Sequence, residues 1–197
     1  MKVIGITGGV GCGKSTVLDL VEKNFNAYVI KADEVGRHVL DKETKGYAQF
    51  VTLFGEAFLN GQGEVDREKL AREVFRNAGK LAVLNSIVHP LVKKYIVEEM
   101  ARVRCMGRYD YFFVEAALLF EDHYELFCDE VWYIYADEVS RRARLLDSRG
   151  YSDEKTDSIM RNQLSEELFR KRCDYVLDNS GSVEETFEQL KKKLVVD

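Results

Sequence analysis

The residues Gly8-Gly9-Val10-Gly11-Cys12-Gly13-Lys14-Ser15 fit the spacing G-x-x-x-x-G-K-[ST], and Thr16 extends it by a second hydroxyl. That combination grips phosphate. Glycine adopts backbone dihedrals that other residues avoid, so Gly8, Gly9, Gly11 and Gly13 let successive N–H groups turn inward as a nest of partial positive charge. The helix that follows, marked by Val17, Leu18, Val21 and Phe25 at helical spacing, aims its N-terminal dipole at the same point. Lys14 supplies a point charge for the β- and γ-phosphates of a nucleoside triphosphate. The Ser15 hydroxyl suits a magnesium ion bridging those phosphates, and Thr16 faces the α-phosphate. Cys12, inside the ring of amides, admits two readings: a reactive thiol whose pKa the amides lower, or a small filler.

A phosphoryl donor needs an acceptor, and the residues placed to serve one are acidic. Asp33 ends the second apolar run of the chain, where a carboxylate orients an acceptor hydroxyl and takes its proton as the bond to phosphorus forms. The same position suits the N-cap of a helix over 34–40. Glu115 closes the run Tyr111 to Val114 and is placed to support magnesium indirectly or to contact substrate, its alternative being a plain loop cap, with Glu121 as a rival for either role. His89 is a candidate for substrate contact, its alternative being a structural hydrogen bond. Between Ser140 and Arg172 the chain is rich in arginine. An arginine on a closing lid stabilises charge spreading over a moving phosphoryl group, and Arg142 and Arg149 are the candidates. A solvated helix pair of mixed charge is the other reading of that stretch.

The apolar pattern locates the elements that must hold these groups. Short runs rich in β-branched and aromatic residues occur at Val3 to Thr7, Tyr28 to Ala32, Tyr111 to Ala116, Val131 to Tyr135 and Tyr175 to Leu177. Most lack strict alternation, as strands covered on both faces do, which predicts a parallel, five-stranded, doubly wound α/β sheet with its active edge at the strands' C-terminal ends. The whole chain, 1–197, reads as one domain carrying a helical insertion over 35–108 and a lid over 140–172. Within the insertion, Tyr47, Phe50, Val51 and Phe54 form one apolar face, Leu70, Ala71, Val74 and Phe75 another, and Asn60-Gly61 with Gly63 a turn. Pro90 is expected in a first helical turn, and 184–194 as a final amphipathic helix.

Composition narrows the class further. With 34 acidic against 29 basic residues the net charge is -5, which argues against a broad polyanion-binding face, so no nucleic-acid partner is expected. Cys12, Cys105, Cys128 and Cys173 form no C-x-x-C pair and read as free thiols of a reducing compartment. No run reaches transmembrane length and no signal peptide is evident, so the expectation is a cytoplasmic protein without a membrane or protein partner.

In order along the chain, IGITGGVGCGKSTV, KADEVGRHVL, VDREKLAREVF, LNSIVHPLV, EAALLFE, DEVWYIYAD, SRGYS and CDYVLDNSG resemble the dephospho-coenzyme A kinase family, a group of P-loop kinases, from Lys2 to about Ser182. The resemblance implies a P-loop fold in which ATP, with magnesium, phosphorylates the ribose 3′-hydroxyl of dephospho-coenzyme A, the last step of coenzyme A biosynthesis. It implies Asp33 in the catalytic position, Arg149 in the lid, His89-Pro90 in a helical domain for the coenzyme A precursor, and Asn179 and Gly181 bordering the adenine pocket. Two positions depart from the pattern: Ala117 stands where the family has proline, and Arg142 where it has glutamine.

Other readings share parts of this pattern. A nucleoside or nucleoside-monophosphate kinase would share the first strand, phosphate loop and lid. A GTP-dependent switch would need N-K-x-D, which is missing, and the one D-x-x-G match, Asp147 to Gly150, follows the fourth strand rather than ending a strand beside magnesium.

Overall fold

The computed structural model describes residues 1–195. Two compact units make up the chain: Met1–Ile30 together with the chain from Val103 onward, and Lys31–Arg102.

The sheet comprises β1 (Lys2–Thr7), β2 (Ala27–Lys31), β3 (Tyr111–Glu115), β4 (Glu130–Tyr135) and β5 (Tyr175–Asp178). All five strands are parallel, in the order β2-β3-β1-β4-β5. Each apolar run read as a strand becomes one, with ends shifted by no more than a residue or two. β1 lies at the centre, pairing Ile4 with Phe113 on β3 and Ile6 with Trp132 on β4. Its Val3, Ile4 and Ile6 are fully buried, which is why the run shows no polar alternation. Because it follows β1 directly, the phosphate loop lies at the C-terminal edge of the sheet, beside the point where the strand order switches direction.

Helix α1 (Lys14–Asn24) buries Val17, Leu18 and Val21 in one cluster with Ile4, Ile6, Trp132 and Ile134. Three further helices follow β4: α6 (Glu138–Arg149), α7 (Asp153–Arg161) and α8 (Glu166–Arg172). Each starts on a side-chain cap, from Asp137, Ser152 and Ser165 respectively, so the polar, arginine-rich stretch is largely helical despite its few apolar residues. The Asp147 to Gly150 match is the end of α6, where Gly150 takes the left-handed conformation of a helix C-cap. The closing helix α9 (Val183–Leu194) has a capping box of Ser182 and Glu185 and buries Thr186, Leu190 and Leu194, as its period predicts.

The second unit holds α2 (Ala32–His38), α3 (Lys45–Phe54), α4 (Arg67–Arg76) and most of α5 (Ala78–Met106). Leu40, Phe50, Val65 and Leu70 form its core, and Phe54 stacks on Phe50 with centroids 4.8 Å apart. In the Asn60 turn the side-chain oxygen accepts from the N–H groups of Gln62 and Glu64.

Two expectations fail here. Pro90 lies inside α5 rather than in a first turn. An interior proline costs about 3 kcal/mol, but burying Ile87, Val92 and Ile96 on either side of it contributes about 1.5–3 kcal/mol each, so one continuous helix wins. Phe75, expected on the apolar face of α4, is 86% exposed, while Leu70 alone of that helix is buried. Among the described residues no helix is long and apolar enough to cross a membrane, and Cys12, Cys105, Cys128 and Cys173 are free.

Candidate active site

The phosphate loop runs from Gly8 to the first turn of α1. Gly11 and Gly13 take φ of 77° and 82°, the left-handed region in which a side chain is strained. Close packing constrains these positions as well: a Cβ on Gly13 would stand 2.3 Å from Asn179 Nδ2, and one on Gly9 2.5 Å from Arg141 Nη2. The Lys14 ammonium donates to the Gly8 carbonyl oxygen at 2.9 Å and lies 3.9 Å from Glu115 Oε1, with both side chains largely buried. Glu121 is exposed, and Glu115 is the carboxylate brought to the lysine. Ser15 is exposed in the first turn of α1.

Cys12 is 1% exposed, and burial pushes its thiol pKa up against the downward pull of Lys14 and its N–H. Both the burial and the raised pKa favour the filler reading over the reactive thiol. Asn179, also buried, ties the loop to the end of β5: Nδ2 donates to the Cys12 carbonyl at 2.8 Å, and Oδ1 accepts from the Thr186 hydroxyl at 2.8 Å.

Four arginines of α6 divide between its two faces. Arg141 Nε donates to the Val10 carbonyl at 2.9 Å, and its Nη2 donates to Gln163 Oε1 at 3.1 Å. That oxygen also accepts the Val10 N–H at 3.1 Å. Arg144 Nη2 donates to the Asn179 carbonyl at 2.7 Å, and its Nη1 is buried without a hydrogen-bond partner. On the opposite face, Arg142 pairs with Glu138, Asp153 and Asp157, and hydrogen bonds to Asp157 and then Glu138 hold its pKa above the ordinary value. Arg149 is exposed, its guanidinium 5.8 Å from the Tyr151 ring centroid.

Comparison with known proteins gives this geometry a family. Residues 2–185 match the model of the family described as dephospho-CoA kinase. The chain belongs to the dephospho-CoA kinase family. It is 36% identical over 190 residues to the dephospho-CoA kinase of Carboxydothermus hydrogenoformans, covering 96% of this chain and 91% of that one. Among solved structures it is similar to a Thermus thermophilus protein at a TM-score of 0.80 and 33% identity, covering 98% of this chain and 96% of that one. The dephospho-CoA kinase from Campylobacter jejuni gives 0.70 at 25% identity, covering 98% of each chain.

In this dephospho-CoA kinase family member the remaining candidates stand as follows. Asp33 is not an N-cap: α2 starts at Ala32 with Lys31 as its cap residue, and no side chain makes a capping bond. Ala32 is a good helix former and carries the strand directly into the helix, leaving the Asp33 carboxylate exposed in the first turn. His89 is partly buried in mid-α5. A Cβ on Gly181 would stand 2.1 Å from Glu185 Oε2, so that glycine makes room for the capping box of α9. The second unit carries a cleft of about 330 Å³, with Val35, Val39, Leu91 and Tyr95 among its apolar walls and Lys45 and Lys94 on its rim.

Sequence reasoning missed Arg141, Arg144 and Gln163 as partners of the loop. A signal existed. On a 3.6-residue period Arg141, Arg144 and Leu145 share one face of α6, and Arg142, Leu146 and Arg149 the other. Leu145 is 2% exposed and Leu146 64%, so choosing the face of Leu145 as the inner one would have selected Arg141 and Arg144.

Proposed function

We propose that this protein transfers the γ-phosphate of ATP to the ribose 3′-hydroxyl of dephospho-coenzyme A, giving coenzyme A and ADP, the last step of coenzyme A biosynthesis. The observation that carries the reading is the phosphate loop, with Lys14 between the Gly8 carbonyl and Glu115, on a chain that matches the family over residues 2–185. Gly8, Gly9, Gly11, Cys12, Gly13 and Thr16 line the triphosphate with backbone N–H groups and a hydroxyl. Lys14 neutralises its outer phosphates. Asp33, exposed and free of a capping duty, orients the 3′-hydroxyl and accepts its proton. Asn179 and Gly181 border the adenine.

The donor set fits magnesium. Among the described residues no three His, Cys, Asp or Glu side chains cluster as a self-sufficient metal site. A hard cation would instead take the Ser15 hydroxyl together with phosphate oxygens, with Glu115 acting indirectly, and it would supply positive charge to neutralise the outer phosphates. Residues 35–108 serve as the substrate-binding insertion and 140–172 as the lid that carries Arg142 and Arg149. Apolar walls and two lysines suit the cleft of the second unit to the pantetheine arm and its pyrophosphate, and His89 contacts the same substrate. A cytoplasmic location, with no membrane, nucleic-acid or protein partner, belongs to the same proposal.

The test is an acceptor panel: purified full-length chain with ATP and magnesium, offered dephospho-coenzyme A, nucleosides or nucleoside monophosphates. The proposal expects coenzyme A by mass spectrometry from the first alone. Turnover of the nucleosides or nucleotides without coenzyme A would replace it with a nucleoside or nucleoside-monophosphate kinase.

A further inference from the structure

We propose that Arg141, positioned by Gln163, is the lid arginine that bears on the phosphoryl group during transfer; this rests on the reaction proposed above. Its guanidinium is anchored along one edge. Nε is taken by the Val10 carbonyl and Nη2 by Gln163 Oε1, whereas Nη1 donates to no protein acceptor among the described residues. Gln163 completes the anchor by accepting the Val10 N–H with the same oxygen, so the Val10 peptide is held at both its N–H and its C=O.

The anchor sets the guanidinium over a particular end of the loop. A Cβ on Gly9 would stand 2.5 Å from Arg141 Nη2 and 2.9 Å from its Cζ, so the group lies directly against that residue. Lys14 donates to the neighbouring Gly8 carbonyl, and in such a loop the lysine meets the β- and γ-phosphates. Two cations therefore serve the Gly8 to Val10 end, where the transferred group sits. The other arginines do not compete there. Arg142 is spent on three carboxylates, Arg144 sits by Gly13 and Asn179, and Arg149 lies over the Tyr151 ring.

The chemistry balances without a further reactant. The 3′-oxygen forms a bond to the γ-phosphorus, the bond from that phosphorus to the bridging oxygen breaks with its electron pair leaving on ADP, and the hydroxyl proton passes to Asp33. Arg141 adds only charge: its free N–H groups meet equatorial oxygens as negative charge spreads over them. A donor fixed beforehand costs no reorganisation at that moment, and a planar fork matches phosphoryl oxygens better than an ammonium does.

Steady-state kinetics of Arg141→Ala, Arg141→Lys and Gln163→Ala at saturating dephospho-coenzyme A test the assignment, with melting temperature as the check on folding. Arg141→Ala is expected to lower kcat by about 10²–10³-fold while KM for ATP changes less than about threefold. Added guanidinium, at tens of millimolar, is expected to restore part of that loss, and Gln163→Ala to lower kcat by about tenfold through misplacing the arginine. If Arg141 merely shapes the loop, the loss appears as a raised KM for ATP and guanidinium does nothing, which overturns the proposal. So does a kcat within about threefold of wild type for Arg141→Ala. A wild-type chain that makes no coenzyme A would instead defeat the reaction itself, so the two failures are distinguishable.

Discussion

The Asn179 side-chain amide donates a 2.8 Å hydrogen bond to the Cys12 carbonyl oxygen across 167 residues of sequence, joining the end of β5 to the turn that cradles phosphate. Both residues are buried, so neither group has water as an alternative partner. Asn179→Asp sets a carboxylate oxygen against that carbonyl. The substitution is expected to cost about 1–3 kcal/mol in urea unfolding and to raise KM for ATP by roughly tenfold. Wild-type stability and KM would show that the bond does not shape the loop.

Glu130 ties three elements together: it accepts from Lys2 at 2.8 Å, from the Trp132 indole at 2.8 Å and from Lys193 at 3.3 Å. Burial pushes its pKa up, but these donors outweigh burial and bring it to about 2 from the ordinary 4.5. A depressed carboxylate contributes stability that is fully present above its unfolded pKa and is lost as pH falls through its folded one. Glu130→Gln should therefore be about 1–2 kcal/mol less stable at pH 7. That gap should narrow between pH 4.5 and about 2, as unfolding curves across that window will measure. A gap independent of pH would assign the loss to packing.

The four thiols are expected to differ sharply in reactivity. Burial raises the pKa of Cys12, and burial with neighbouring carboxylates raises those of Cys128 and Cys173 to about 12, whereas Cys105 is exposed. Iodoacetamide at pH 8 should label Cys105 of the native protein at least about 100-fold faster than Cys12, as peptide mapping will read. Rapid labelling of Cys12 would contradict its role as filler.

How far the sequence discloses this molecule depends on the range of each interaction. The phosphate loop is legible because its dihedrals, charge and helix start are all set by consecutive residues from Gly8 to Thr16. The strands are legible because β1, β3 and β4 are buried on both faces and carry unbroken apolar runs. Pro90 misleads because its local preference yields to burial of Ile87, Val92 and Ile96, and how deeply those neighbours are buried is set by packing with distant segments rather than by the residues beside the proline. Arg142 and Arg149 stand out in the sequence through an arginine-rich stretch and a family resemblance, whereas Arg141 is set apart only by its bond to Val10, 131 residues away.

Asp33 is exposed and makes no capping bond, so Asp33→Asn should leave folding and ATP affinity within about threefold of wild type. Its kcat should fall by about 10²–10⁴-fold, because the amide keeps the shape of the group but cannot take the hydroxyl proton. Kinetics paired with calorimetric ATP titration separate the two quantities. An unchanged kcat would remove Asp33 from the chemistry.

Transfer itself is tested most directly by following the phosphorus atom. Wild-type protein, magnesium and ATP labelled in its γ-phosphate are mixed with dephospho-coenzyme A, and the products are separated and mapped by mass spectrometry. The label is predicted in the 3′-phosphate of coenzyme A, with ADP unlabelled. Label recovered only as inorganic phosphate, with dephospho-coenzyme A unchanged, would contradict the account.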